Sequence, residues 1–429
     1  MMRMQGWMAG WLVAGVLAGS SGVLHAYPID GYADTGIARL EGYRLAKEGK
    51  VAGNRLHPGA WLTTDQVRLR MQQYPDFTFP QPDADLTRRI VRLLGDEAQN
   101  YSVSVLDLSD PQHPLLAEHN PLTRRNPGSV GKLVVALAIF QTLADLYPDD
   151  IEARRRILKN TLVTADDFIR SDHHTVPFWK PELNRMPRRS LREGDTANLW
   201  SYLDWMLSAS SNAAASMVIR ELLLLRHFGR AFPVSAQQEQ AFFRDTPRAE
   251  LHELLLDSLQ TPVTRNGLDV HNLRQGSFFT HYGQRHVPGT TSICTTHELL
   301  RYLVRMEQGR LVDAWSSLQI KRLMYMTQWR IRYASSPALN KAAVYFKSGS
   351  LYRCKPEPGY HCAKYKGNKL NLMNSVAIVE APAGNPELYY LVTLTSNVLK
   401  KNSAVEHQTF ATRLHALLKG LQSAPAAAR

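Results

Sequence analysis

The feature that most constrains this chain is the way its two hydrophobic periodicities are separated. Strand-like segments occur near both ends, with clear period-two alternation in the first, and helical spacing fills the length between. Tyr101 to Leu108 alternates like a strand, and a turn containing Asp110, Pro111 and Pro114 leads to a second short strand near Leu115 to Glu118. Strand-like segments return only at Ala342 to Lys347, Leu372 to Val379 and Leu388 to Thr395. Helical runs are expected over Asp85 to Ala98, Leu133 to Leu146, Ala213 to Leu225, Thr295 to Gln308, Ala314 to Met326 and Ala404 to Leu418. A further helix through Trp200, Leu203 and Met206 has Asp195 or Thr196 as its cap, whereas residues 227 to 290 read as mixed and loop-rich. This order implies an α+β fold. Strands from both chain ends form one antiparallel sheet packed against helices, and an all-helical subdomain is enclosed between them.

The flanks read differently. Arg3, an apolar run from Trp7 to Leu17 and the small-residue exit Leu24-His25-Ala26 form a signal-peptide pattern over residues 1–26. The competing reading is an uncleaved anchor, because the apolar segment approaches spanning length. The dense Gly and Ala favour cleavage, and no Cys stands near the exit to take a lipid. No later segment reads as a membrane span. The expected location is therefore the periplasm or the medium, with no stable span after cleavage. Residues 27–83 end in Phe79-Pro80-Gln81-Pro82 and read as a linker or an arm wrapped on the main domain, which covers 84–420 before a flexible tail at 421–429.

Composition is globular, with 44% hydrophobic and 21% charged residues in 429, which excludes disordered and fibrous classes. Three cysteines suit an oxidising compartment: Cys354 and Cys362 can close a short loop around Pro356, Pro358 and Gly359, leaving Cys294 as a buried thiol. Paired metal-ligand spacing is missing, the adjacent His173 and His174 read as surface, and no metal or cofactor is expected. The formal charge of +13 favours attraction to anionic envelope polymers or membranes. Nucleic acid is a weaker reading, given the export pattern and the even spread of Lys and Arg.

Three short patterns carry chemistry. Ser129-Val130-Gly131-Lys132 is the only S-x-x-K, Ser210-Ser211-Asn212 the only S-x-N and Lys347-Ser348-Gly349 the only K-[ST]-G. Each alone has a plain structural explanation as a cap or an edge-strand charge. Their joint order and local context do not. A serine hydroxyl needs a base, and residues three apart share one face of a helix, so Ser129 in a first turn stands beside the Lys132 amine. Burial and a neighbouring cation would free that amine to accept a proton, and the helix N-terminus adds positive potential where an anion forms. Ser210 can relay a proton to a leaving nitrogen, and Asn212 can bind a substrate amide. Lys347 can hold a carboxylate and Ser348 adds a hydroxyl there. Gly349 lets a backbone approach, and the N–H groups of Ser129 and Ser350 can form an oxyanion hole.

In these motifs the chain resembles the penicillin-binding proteins and class A β-lactamases over roughly residues 84 to 420. Ser210-Ser-Asn-Ala-Ala-Ala-Ser-Met is similar to the start of that family's second-motif helix, with Ser211 where Asp is usual, and Gly289-Thr-Thr-Ser followed by Glu298-Leu-Leu-Arg-Tyr-Leu is similar to the helix after its Ω-loop. The resemblance implies a β-lactamase/transpeptidase-like fold and an acyl-enzyme on Ser129. The substrate would be a β-lactam or related amide, or a peptidoglycan peptide ending in D-Ala-D-Ala. A sensor that stays acylated is the third possibility.

One expected element is missing. The family's Ω-loop glutamate, which clears the acyl-enzyme, has no match in Val263 to Asn272, where Asp269 is the nearest carboxylate and a candidate for that base; Glu250 and Glu253 lie earlier on an expected amphipathic helix, where they read as surface. Both intervals between the motifs also exceed the compact class A spacing. The insertion Leu351 to Lys369 is expected to overhang the site, restricting bulky substrates or binding a polymer.

Overall fold

Alternation in the five strand segments resolves into two faces with different partners. The strands are β1 (Tyr101–Asp107), β2 (Leu115–His119), β3 (Ala343–Arg353), β4 (Leu370–Ala381) and β5 (Leu388–Asn397). In the computed structural model, which describes residues 27–52, 56–327 and 330–422, they form one antiparallel sheet of order β2-β1-β5-β4-β3. Chain ends therefore meet where Val103 pairs with Leu394 and Val105 with Val392. Val103, Val105, Val344, Phe346, Ala377, Val379 and Val392 pack beneath the terminal helix with Phe410 and Leu414, and with Leu86 and Ile90 of the helix Ala84–Leu94. Their neighbours Leu106, Tyr345, Val376, Ile378 and Leu391 turn to the opposite face and join the core of the helical subdomain. Side chains two apart share a face, so both faces of this sheet are covered.

The middle of the chain forms α1 (Lys132–Leu146), α2 (Leu199–Leu207), α3 (Asn212–Phe228), α4 (Ala236–Asp245), α5 (Arg248–Arg265), α6 (Thr296–Glu307) and α7 (Ala314–Met324). Two expectations need correction here. Residues 227 to 290 are not mainly loop: α4 is set by a Ser235/Gln238 capping box, and α5 runs 18 residues with Pro262 inside it. The cap of α2 is Asn198, whose side chain accepts from Ser201 N, while Asp195 is taken by Arg189 and by Arg192 N. A third correction concerns membrane spans. Gly128–Leu146 is long and apolar enough to cross a bilayer, yet most of it is enclosed by the subdomain, as the central helix of a globular core should be.

The segment before residue 84 is held by buried polar contacts. Arg39 pairs with Asp204, both essentially inaccessible, and Tyr27 donates to Gln319 at 2.9 Å. Lys321 sits between Glu307 and Glu380 at 2.7 Å each, and Arg70 reaches Glu380 at 2.9 Å, so the segment is tied to α6, α7 and β4 together. A buried charge is tolerated only with such partners. The signal pattern at 1–26 and residues 423–429 of the expected tail lie outside the described residues; Leu421 and Gln422 close the terminal helix.

Candidate active site

Ser129 lies in a 3-10 turn, Gly128–Gly131, that runs directly into α1. Lys132 opens that helix fully buried, and its Nζ stands 2.9 Å from Ser129 Oγ, 2.7 Å from Ser210 O and 2.8 Å from Asn212 Oδ1. Burial lowers the lysine from its ordinary 10.5 to about 7; the Arg332 charge pushes the same way, and the Asp172 carboxylate opposes both. The amine is thus available as a base near neutrality.

Ser210 takes a left-handed φ of 58°, rare for a non-glycine residue, which presents it between the two lysines. Its carbonyl accepts from Lys132, and its Oγ accepts from Lys347 Nζ at 2.8 Å. That leaves the Ser210 hydroxyl proton free to donate. Lys347 also donates to Ser348 O, and burial, then Lys132 and Arg332, hold it well below its ordinary value. Asn212 uses its oxygen on Lys132, and its amide N–H groups have no protein partner among the described residues.

Strand β3, at the sheet edge, packs on the Ser129 turn. A Cβ at Gly349 would lie 2.2 Å from Pro127 O and 2.7 Å from Ser129 N, and one at Gly128 would lie 3.3 Å from Ser350 N. Glycine at 349 is therefore needed for the strand to meet the turn. The same contact brings the N–H groups of Ser129 and Ser350 to one place. The nucleophile turn, the second-motif loop and the edge strand converge, so Ser129, Lys132, Ser210, Asn212, Lys347, Ser348, Gly349 and Ser350 share one site.

Asp269 does not join them. Its oxygens accept from His271 N and Asn272 Nδ2, its N–H donates to Glu298, and it bonds to none of the motif residues. It closes a local turn beyond α5. The residue that the following segment turns toward Lys132 is Phe279, whose ring centroid lies 4.8 Å from Nζ. Among the described residues, no carboxylate hydrogen-bonds to Lys132 Nζ or Ser129 Oγ.

Three contributors carry no local sequence signal. Arg332, at φ 53°, donates to Ser348 Oγ at 2.8 Å and to Ser350 Oγ at 3.1 Å, adding a second cation beside Lys347. Asp172 accepts from Ser211 Oγ at 2.9 Å and Ala213 N at 2.8 Å, supplying from another loop the carboxylate missing at Ser211. Burial works to raise that carboxyl, but the His174 ring and the Ala213 N–H offset it and keep it ionised. Tyr365, half-buried on the connection between β3 and β4, accepts from Arg332 Nη2 on its hydroxyl at 3.0 Å.

The insertion begins later than expected, because β3 continues through Arg353. Cys354 and Cys362 are disulfide-bonded at its start, and Cys294 is a free buried thiol pushed up to about 12 by desolvation.

A model of the β-lactamase enzyme family matches residues 85–414. Among solved structures, TLA-3 extended-spectrum β-lactamase superposes with a TM-score of 0.51 at 14% identity, covering 79% of this chain and 99% of that one. A β-lactamase from Sphaerobacter thermophilus DSM 20745 gives 0.49 at 14% identity, with 77% and 96% covered. PBP-A gives 0.46 at 13%, with 80% and 100% covered. No curated protein matches the sequence. Matched over most of its length by the family model, the chain belongs to the β-lactamase enzyme family.

Proposed function

We propose that this chain is an exported serine acyl-hydrolase that forms an acyl-enzyme through Ser129 with β-lactams and related amides. The observation that carries the reading is the 2.9 Å contact between Ser129 Oγ and a fully buried lysine lowered to about 7. Lys132 takes the hydroxyl proton as Ser129 Oγ attacks the carbonyl carbon. The N–H groups of Ser129 and Ser350 hold the developing oxyanion. Ser210 then passes its proton to the departing nitrogen and regains one from the Lys347 ammonium that donates to its Oγ at 2.8 Å. A substrate carboxylate is received by Lys347, Ser348 and Arg332. Its arrival favours the charged form of Lys347 and so opposes the effect of burial on that amine. The Cys354–Cys362 bond supports an oxidising compartment, in line with the signal pattern.

A specific observation favours slow release of β-lactams. Deacylation needs a base for water, and the loop residue facing Lys132 is the aromatic Phe279. The paired cations Lys347 and Arg332 suit the carboxylate that β-lactams and D-Ala-D-Ala peptides both carry. A departing D-alanine opens the site to water that Lys132 can activate, whereas an opened β-lactam keeps its nitrogen tethered there, which supports the peptides as the turnover substrates. The test is a side-by-side assay. The reading expects slow, stoichiometric consumption of a chromogenic cephalosporin together with catalytic release of D-alanine from a D-Ala-D-Ala peptide. Rapid cephalosporin turnover without D-alanine release would make it a β-lactamase with a deacylating base elsewhere.

A further inference from the structure

Most of the exposed cations beside the site lie on one small feature. The connection between β3 and β4, with the last residue of β3, carries Arg353, Lys355, Lys364, Lys366 and Lys369, all exposed. None of these five has a carboxylate within ion-pair distance among the described residues. Lys400 and Lys401 extend the patch from the link between β5 and the terminal helix, paired with Glu357 and Glu97. Seven cations thus face two carboxylates, and both carboxylates are already used.

The hairpin is held in shape. The Cys354–Cys362 bond closes it, Asn368 bridges both backbone groups of Lys355, and Tyr360 OH donates to Lys366 O at 2.7 Å. Lys400 N donates to Gly367 O at 2.9 Å and Ser403 N to Tyr365 O at 3.0 Å, so the two basic segments are knit together. A preorganised surface loses little conformational freedom on binding. The hairpin also ends at the active site, because Tyr365, at φ 67°, joins it to the Arg332 that touches Ser348 and Ser350.

We infer that this disulfide-closed basic hairpin is a docking surface for a carboxylate-bearing polymer, guiding segments of that polymer into the Ser129 site. The partner's chemistry follows from the charge complement and from continuity with Lys347 and Arg332, which receive a carboxylate in the reading above; only the delivery to Ser129 rests on that reading. A lipid surface fits less well. The patch reaches the site through Tyr365, whose hydroxyl meets Arg332, so a flexible chain seated on it can pass to the carboxylate-binding side chains, which a flat bilayer surface cannot do.

The test uses the mature chain carrying Ser129→Ala, with and without K355E/K366E/K369E, titrated with fluorescent poly-L-glutamate. None of these three lysine side chains is hydrogen-bonded to Ser348, Ser350, Arg332 or Tyr365. The inference expects the reversal to weaken binding by roughly tenfold or more in low salt, the difference vanishing near about 0.5 M salt. Penicillin acylation of the reversed variant with Ser129 intact should stay within about twofold of the parent, which shows that the fold survives. Equal binding by parent and reversed protein would overturn the inference. So would tighter binding to anionic phospholipid vesicles than to polyglutamate. Binding is read without the nucleophile, so a failure of acylation and a failure of docking are separately visible.

Discussion

The acylation rate should follow the titration of Lys132, whose burial places the midpoint near neutrality and whose charged neighbours set the direction of its shifts. The amine acts as a base only when neutral, and burial lowers it to about 7. About one-tenth is neutral at pH 6 and about nine-tenths at pH 8, so the second-order acylation constant should rise about tenfold across that interval and then level off. Two substitutions should move the midpoint in opposite directions. Asp172→Asn removes a carboxylate that favours the charged lysine, so the curve should shift to lower pH. Arg332→Ala removes a cation that disfavours it, so the curve should shift to higher pH, with a weaker apparent affinity for the carboxylate-bearing drug. The assay is rapid-quench acylation by a penicillin from pH 5.5 to 9 at constant ionic strength. A flat profile, a midpoint near 10, or two variants shifting in the same direction would refute the assignment of Lys132 as base.

Other consequences concern stability and lifetime. Between the unfolded lysine at 10.5 and the folded one at about 7, the protonated form loses about 5 kcal/mol on folding. The unfolded chain keeps the proton across that window, so stability due to this group rises with pH from about 7 to about 10; Lys132→Met should abolish acylation yet raise the melting temperature, more at pH 6 than at pH 9. Gly349→Ala places a Cβ 2.2 Å from a backbone oxygen, so it should lower stability by about 1–3 kcal/mol and acylation by more than tenfold, read by denaturant melts and adduct formation. Phe279→Glu puts a carboxylate opposite Lys132 and should shorten the penicilloyl adduct's life by roughly tenfold, measured by timed mass.

Much of this was legible in the sequence because it is written locally. Strand-like composition marked all five strands of the sheet, and the three motifs with the adjoining Ser350 named eight residues that converge in space. Spacing along one helix fixes the Ser129 and Lys132 pair, since i and i+3 must be neighbours. The residues that sequence did not yield act across the fold. Arg332 reaches Ser348 from a 3-10 turn, and Asp172 meets Ser211 from a loop 39 positions earlier. Nothing near either residue marks the destination. Asp269 was a candidate only because it is the sole acidic side chain within Val263 to Asn272, but its oxygens are taken by its own turn. Helix α4 escaped notice because Gln237, Gln238 and Gln240 blur its apolar stripe, and of α5 only the amphipathic part around Glu250 and Glu253 was legible, because Pro262 interrupts the pattern.

The most direct measurement is intact mass of the mature protein after brief exposure to a penicillin, with peptide mapping of the adduct and Ser129→Ala as control. The account predicts one penicilloyl group per chain, located on the peptide containing Ser129, long-lived at neutral pH and missing from the control. An adduct that persists in Ser129→Ala, or maps to another residue, would contradict it.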